Sequence, residues 1–324
     1  MRRRTLLGAA ALLPLSMPIA AARAAAFRDV LDTPASPSPL AARGLFNGLA
    51  RAGGRLVAVG QRGHVLASDD VGKTWLQAEA VPVSADLVAV HFATAERGWA
   101  VGHDGVILAS SDGGRRWTRQ FDGRQLGARG AENPLLDVWF DDASNGLAVG
   151  AFGTLLRTAD GGATWRSAAD SADNPKGLHL YAVRRVGGAL FIAGEQGLLL
   201  RHDGARFAAV TLPYAGTLFG VFGNERALLA HGLRGHALRS ADGGATWQPV
   251  ATRLAVGLTG GALDERGRFV LVSQAGHVLA SRDDGASFAP LQIERPQPAA
   301  AVASAGNGTL VLAGPRGLQT LTLP

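Results

Sequence analysis

A short signature built around one aspartate recurs five times in this chain, and its spacing leaves room for few folds. The pattern S/T-x-D-x-G-x-x-W/F is carried by Ser68, Asp70, Gly72 and Trp75, by Ser110, Asp112, Gly114 and Trp117, and by Thr158, Asp160, Gly162 and Trp165. It returns as Ser240, Asp242, Gly244 and Trp247 and as Ser281, Asp283, Gly285 and Phe288. A glycine stands five residues before each Ser or Thr, and this marker continues where the box is incomplete, as Gly63, Gly105, Gly153, Gly197, Gly235, Gly276 and Gly317. Steps of 42, 48, 44, 38, 41 and 41 residues are the period of a four-stranded propeller blade. Seven marks predict an all-β, seven-bladed propeller with about four antiparallel strands per blade.

One unit shows how the strands arise. Leu87 to Phe92, Trp99 to Gly102, Val106 to Ser110 and Trp117 to Gln120 are short runs rich in β-formers, separated by Gly- and Asp-bearing turns. The box belongs to the hairpin between the third and fourth strands. There the carboxylate accepts N–H groups of the turn, the glycine takes a left-handed conformation, and the aromatic packs back under it. Asp70, Asp112, Asp160, Asp242 and Asp283 are therefore read as structural, not catalytic.

Two units depart from the pattern. The fourth keeps Gly197, Asp203, Gly204 and Phe207, is read as one residue short, and has Arg201-His202 where a hydroxyl should stand. The seventh ends after three strands, so Phe27 to Asp32 is expected to supply its outer strand and close the ring, with Pro34 to Pro39 as the connection into blade one.

Residues 1–26 stand outside the period. Three arginines, an apolar run from Leu6 to Ala22 and small residues ending at Ala26 form an export signal, and Arg3-Arg4-Thr5-Leu6-Leu7 fits the twin-arginine type. The remaining 27–324 form one domain. Four of the 32 basic residues leave with the signal, so the mature chain carries 28 basic against 26 acidic residues and a net charge of +2. Its arginines are dispersed, which argues against nucleic acid as a partner. Without cysteine the chain has no disulfide, thiolate metal site or lipidated cysteine. His64, His236 and His277 follow marker glycines on separate blades, so no shared metal is expected, and no motif calls for a cofactor.

The recurring string V-G-x-x-G-x-[VIL]-L-x-[ST]-x-D-G-G-x-x-W resembles the photosystem II assembly and stability factors, best over Trp99 to Trp117, Gly146 to Trp165 and His231 to Trp247. The resemblance implies a non-enzymatic scaffold; the chain is read as a monomer, and the export signal places it in the periplasm, or in the thylakoid lumen of a photosynthetic source. Its partner would be a membrane protein or its precursor, held on an arginine-lined face. The same boxes occur in sialidases and other glycan-cleaving propellers, so a carbohydrate-active propeller is the alternative; an accessory subunit of a transport system is a third reading. A sialidase site would need a tyrosine paired with glutamate and three convergent arginines. The chain has only Tyr181 and Tyr214, neither with a glutamate nearby in sequence.

Function on a propeller concentrates on one face, formed by the turns between strands two and three and by the connections between blades. The two longest connections are Phe121 to Leu135 and Ala168 to His179, each with an acid-Asn-Pro step. Arg62, Arg124, Arg129, Arg234 and Arg316 lie in these turns and connections and are the candidate partner-binding residues.

Overall fold

A computed structural model describes residues 28–323 except 128, 129 and 131; the candidate export segment and Arg129 lie outside the described residues. Seven antiparallel sheets follow one another in chain order, spanning residues 46–77, 87–121, 135–167, 180–209, 218–250, 258–290 and 301–322. Blades 1 to 6 have four strands each and blade 7 has three. Inner strands of successive blades pack side by side, and Phe46–Ala52 of blade 1 packs on Ala301–Gly306 and Thr309–Gly314 of blade 7, which closes the ring. Among the described residues the only helical segments are short 3-10 turns, as expected for runs of β-formers broken by glycine.

The core lies between blades, and the aspartate boxes reach across those gaps. In blade 5 the Ser240 hydroxyl donates to Asp242 Oδ1 at 2.7 Å and accepts the Gly244 N–H at 2.9 Å. Asp242 also accepts the N–H groups of Ala245 and Thr246 and the Thr246 hydroxyl, while the Trp247 indole donates to the Gly244 carbonyl at 3.1 Å. Each box then seats on the preceding blade. A Cβ on Gly72 would meet Val311 of blade 7, one on Gly114 would meet Val57 of blade 1, and one on Gly244 would meet Phe191 of blade 4 at 2.5 Å. The box is a latch between blades as well as a turn.

Two expectations about irregular units are corrected. Among the described residues the N-terminal segment supplies no strand to blade 7; Phe27 lies outside them. Val30–Asp32 is a single 3-10 turn, capped by the Asp29 side chain on Leu31 N, and Leu31 is buried with Val81, Val83 and Val106 between blades 1 and 2. Burial of Leu31 there, the Ser84 N–H bond to Val30 O and the pairing of Asp32 with Arg119 at 3.2 Å hold the segment away from the last blade. The proline-bearing stretch after it runs beside blade 1, where Gln77 accepts Ser38 N–H and donates to Ser36 O. Blade 7 keeps Gly317–Thr322 as its outermost strand, covered at one end by Ala41–Arg43. In the fourth unit the hairpin is two residues shorter than a box, not one: Phe207 pairs with His202 five positions earlier, whereas Trp75 follows Ser68 by seven.

Candidate binding face

The turns between strands two and three and the connections between blades do share one face. Gln61, His103, Ala151, Glu195, Leu233 and Gln274 each open such a turn by donating their N–H to the carbonyl just before their own blade's inner strand. The next position is left-handed in five blades, at Arg62, Asp104, Phe152, Gln196 and Arg234, with φ between 53° and 56°. A non-glycine residue there costs about 1–2 kcal/mol, and the side chain is projected outward from the turn.

A second regularity shapes the centre. In six blades the inner strand skips one residue of its ladder just after its start, and the skipped residues are Asn47, Val88, Leu136, Tyr181, Phe219 and Thr259. These bulges turn the six side chains into the mouth of the central channel, a cavity of about 440 Å³. From this mouth an aromatic path runs outward. Phe219 meets Tyr181 edge-on at 5.5 Å, Tyr181 lies 6.3 Å from His179, and His179 meets Phe152 at 4.8 Å. Phe152 is 66% exposed, an unusual position for a large apolar side chain. Tyr214 flanks the path, its ring 4.4 Å from His236 and its hydroxyl donating to Leu233 O.

The candidate arginines fall into two groups. Arg62, Arg234 and Arg316 are exposed on blades 1, 5 and 7, and their guanidinium groups make no hydrogen bond or ion pair among the described residues. Arg124 is engaged inside the molecule: it pairs with Asp122 and Asp32, each at 2.9 Å, and Asp29 stands 4.0 Å away. The rim is divided in charge. Around blade 2, burial pushes the Asp104 carboxyl up, and the nearby charges of Asp29, Glu132 and Asp86 push the same way. Sequence reasoning named the arginine turns and missed the aromatic path. Its outer end was legible, because Phe152 occupies the turn position of Arg62 and Arg234; its inner end depended on the bulges.

Among the described residues, the three convergent arginines of a sialidase site are not gathered around Tyr181. The Tyr181 hydroxyl is held above its ordinary range, first by burial and then by the charge of Glu195. Glu195 itself accepts His179 N–H at 2.8 Å. Arg184, beside the channel, is committed to Asp137. Among the described residues no three His, Asp or Glu side chains converge in a metal-binding arrangement.

Fold and face together define a seven-bladed propeller whose box turns latch its blades and whose channel mouth opens onto an aromatic, arginine-flanked surface. The chain belongs to the family described as Photosynthesis system II assembly factor YCF48, whose model matches residues 28–111, 50–130 and 124–288. A search of curated protein sequences finds no match. Among solved structures, YCF48 bound to D1 peptide aligns with a TM-score of 0.70 at 16% identity, over 87% of this chain and 94% of that one. YCF48 from Cyanidioschyzon merolae gives 0.67 at 16% identity over 88% and 97%. The GH74 xyloglucanase from Xanthomonas campestris gives 0.64 at 14% identity, over 86% of this chain and 52% of that one. At these identities the likeness is one of fold.

Proposed function

We propose that this protein is a non-enzymatic scaffold that holds an extended segment of a membrane protein, or of its precursor, across the turn-bearing face during assembly of a membrane complex. The observation that carries the reading is the aromatic path from Phe152 through Tyr181 to Phe219 at the channel mouth, on a face that also presents the unpaired Arg62, Arg234 and Arg316. Rigid aromatics supply contact area at low entropic cost, and guanidinium groups match carboxylates of a client. Family membership and the peptide present in one similar structure support a peptide as the ligand class. Residues 1–26 are read as the signal that exports the folded chain to the periplasm, or to the thylakoid lumen in a photosynthetic source.

Crosslinking followed by pull-down from native membranes tests this reading. The wild-type chain is expected to recover a membrane protein, and the Phe152→Ala/Tyr181→Ala variant and the Arg62→Glu/Arg234→Glu/Arg316→Glu variant to lose it. Recovery undiminished in both variants refutes the assignment of this face. Turnover of a fluorogenic sialoside or of xyloglucan by the wild-type chain would replace it with the carbohydrate-active reading.

A further inference from the structure

The shortened hairpin of blade 4 leaves a defined vacancy on blade 3. In the complete units the box closes over the second strand of the blade before it: Gly72 on Val311, Gly114 on Val57, Gly244 on Phe191 and Gly285 on Leu229, while the Trp99 indole donates to the Gly161 carbonyl at 3.3 Å. Leu147 is the equivalent seat on blade 3. It pairs across the ladder with Arg157 as Leu229 pairs with Arg239. No box stands over it, because blade 4 turns back at His202–Phe207. A cleft of about 410 Å³ opens at that place, with Trp139, Leu147, Leu190 and Phe207 as apolar lining and Arg157 and His202 beside them.

The polar groups of the cleft show what the missing turn would have provided. In blade 5, Arg239 Nε donates to the carbonyl of Asp284 in the next blade's box at 2.7 Å, and in blade 1 Arg55 donates to the Gly113 carbonyl of the next box at 3.1 Å. Arg157 has no acceptor among the described residues, since the turn that would carry one is shortened. His202 Nδ1 accepts the Gly204 N–H at 3.2 Å, so in the neutral ring Nε2 carries the hydrogen and remains a donor. The two acids of the cleft are already engaged. Asp141 is held by Arg185 and the Trp139 indole, and Asp142 by the N–H groups of Ser144 and Asn145. What is left over is one cation and one N–H donor above an apolar floor.

We propose that this cleft is a second binding site, taking a carboxylate carried on an apolar body. The carboxylate replaces the box carbonyl at Arg157, and the apolar body fills the seat over Leu147. A free organic acid and the C-terminal residue of a peptide both have this chemistry. The site lies at the box-turn ends of the strands, the opposite ends from the client face, and does not depend on it.

Isothermal titration of the full chain with 4-phenylbutyrate and with acetyl-Gly-Leu-Phe, each beside its terminal amide, tests the proposal and separates the two sources. At least one carboxylate is expected to bind while its amide does not, and Arg157→Ala is expected to weaken that binding by about tenfold or more. Replacing residues 202–207 by the box sequence of residues 240–247 should abolish binding and raise the melting temperature. Leu147→Phe, which narrows the cleft without altering the turn, should also abolish binding. Silence of both carboxylates, equal binding of the amides, or unchanged binding by the Leu147→Phe variant overturns the proposal.

Discussion

Leu31 offers a sharp test of how the chain's beginning contributes to the ring. It is 3% exposed and packs with Val81, Val83 and Val106 where blades 1 and 2 meet, whereas Asp32 beside it pairs with Arg119 and Arg124 at the surface. Truncating a buried leucine to alanine costs about 3 kcal/mol, from lost transfer energy and the cavity left behind. A ring of nearly 300 residues has an unfolding entropy of about 0.6 kcal/mol per kelvin, so Leu31→Ala should lower the melting temperature by roughly 5 °C. Asp32→Asn should change it much less, because exposed ion pairs are largely screened. Differential scanning calorimetry gives the size of the effect, and hydrogen–deuterium exchange gives its place. Protection should fall in Phe46–Ala52 and Leu87–Phe92 and stay unchanged in Gly317–Thr322. A melting shift below about 1 °C, or exchange rising most in Gly317–Thr322, would refute the placement of this segment and favour closure through blade 7.

Other consequences follow from the latches and the buried imidazoles. Gly244→Val should destabilise the ring by about 2–4 kcal/mol, since φ is +86° there and a Cβ meets Phe191 at 2.5 Å, whereas Gly243→Ala, with φ +68° and open space around it, should cost about 1 kcal/mol; chemical denaturation distinguishes them. The carboxyls of Asp70, Asp160 and Asp283 are pulled down to about 2, chiefly by the hydroxyls of Thr74, Thr164 and Ser287. Their folded values lie below an unfolded value of about 3.9, so their stabilisation is present above that pH and lost as pH falls toward 2; Asp160→Asn should shrink this acid limb in melting curves. His91 and His231 are pushed down to about 4, chiefly by burial, so they stay neutral in the fold while the unfolded chain takes up protons near pH 6.5. Stability should therefore fall between about pH 6.5 and 4, and His231→Gln should flatten part of that slope; a melting temperature constant across this window would contradict the burial of both rings.

Much of the fold was legible because a box needs the same kinds of residue wherever it occurs: a hydroxyl before the aspartate, a glycine free to take positive φ, and an aromatic ring to cap the turn. Repetition turned those local needs into a period, and the period set the blade count. The chain's beginning was misjudged because a missing strand invites the nearest unassigned segment, and sequence alone cannot weigh Leu31 against a blade-edge ladder. The engagement of Arg124 was hidden for a related reason. Its partners include Asp32, 92 positions away, and that pairing exists only once the N-terminal segment lies across blade 2. Nor did the alternation of Tyr181 or Phe219 announce the channel mouth, since one skipped residue per inner strand decides which side chain turns inward.

The fourth blade shows where reading a repeat stops being a matter of matching. Its lost hydroxyl, visible in the sequence, marks only a weaker turn. The consequence lies on another blade, at Leu147 and Arg157, whose own unit keeps a complete box and gives no sign of anything missing. Because each box latches onto the blade before it, the shortened turn of blade 4 exposes blade 3. Leu147 is 8% exposed where Val57, Phe191 and Leu229 in the same seat are fully buried. The irregular fourth unit therefore points to a candidate site one blade upstream, and the donor left without a carbonyl there gives the charge its ligand should carry.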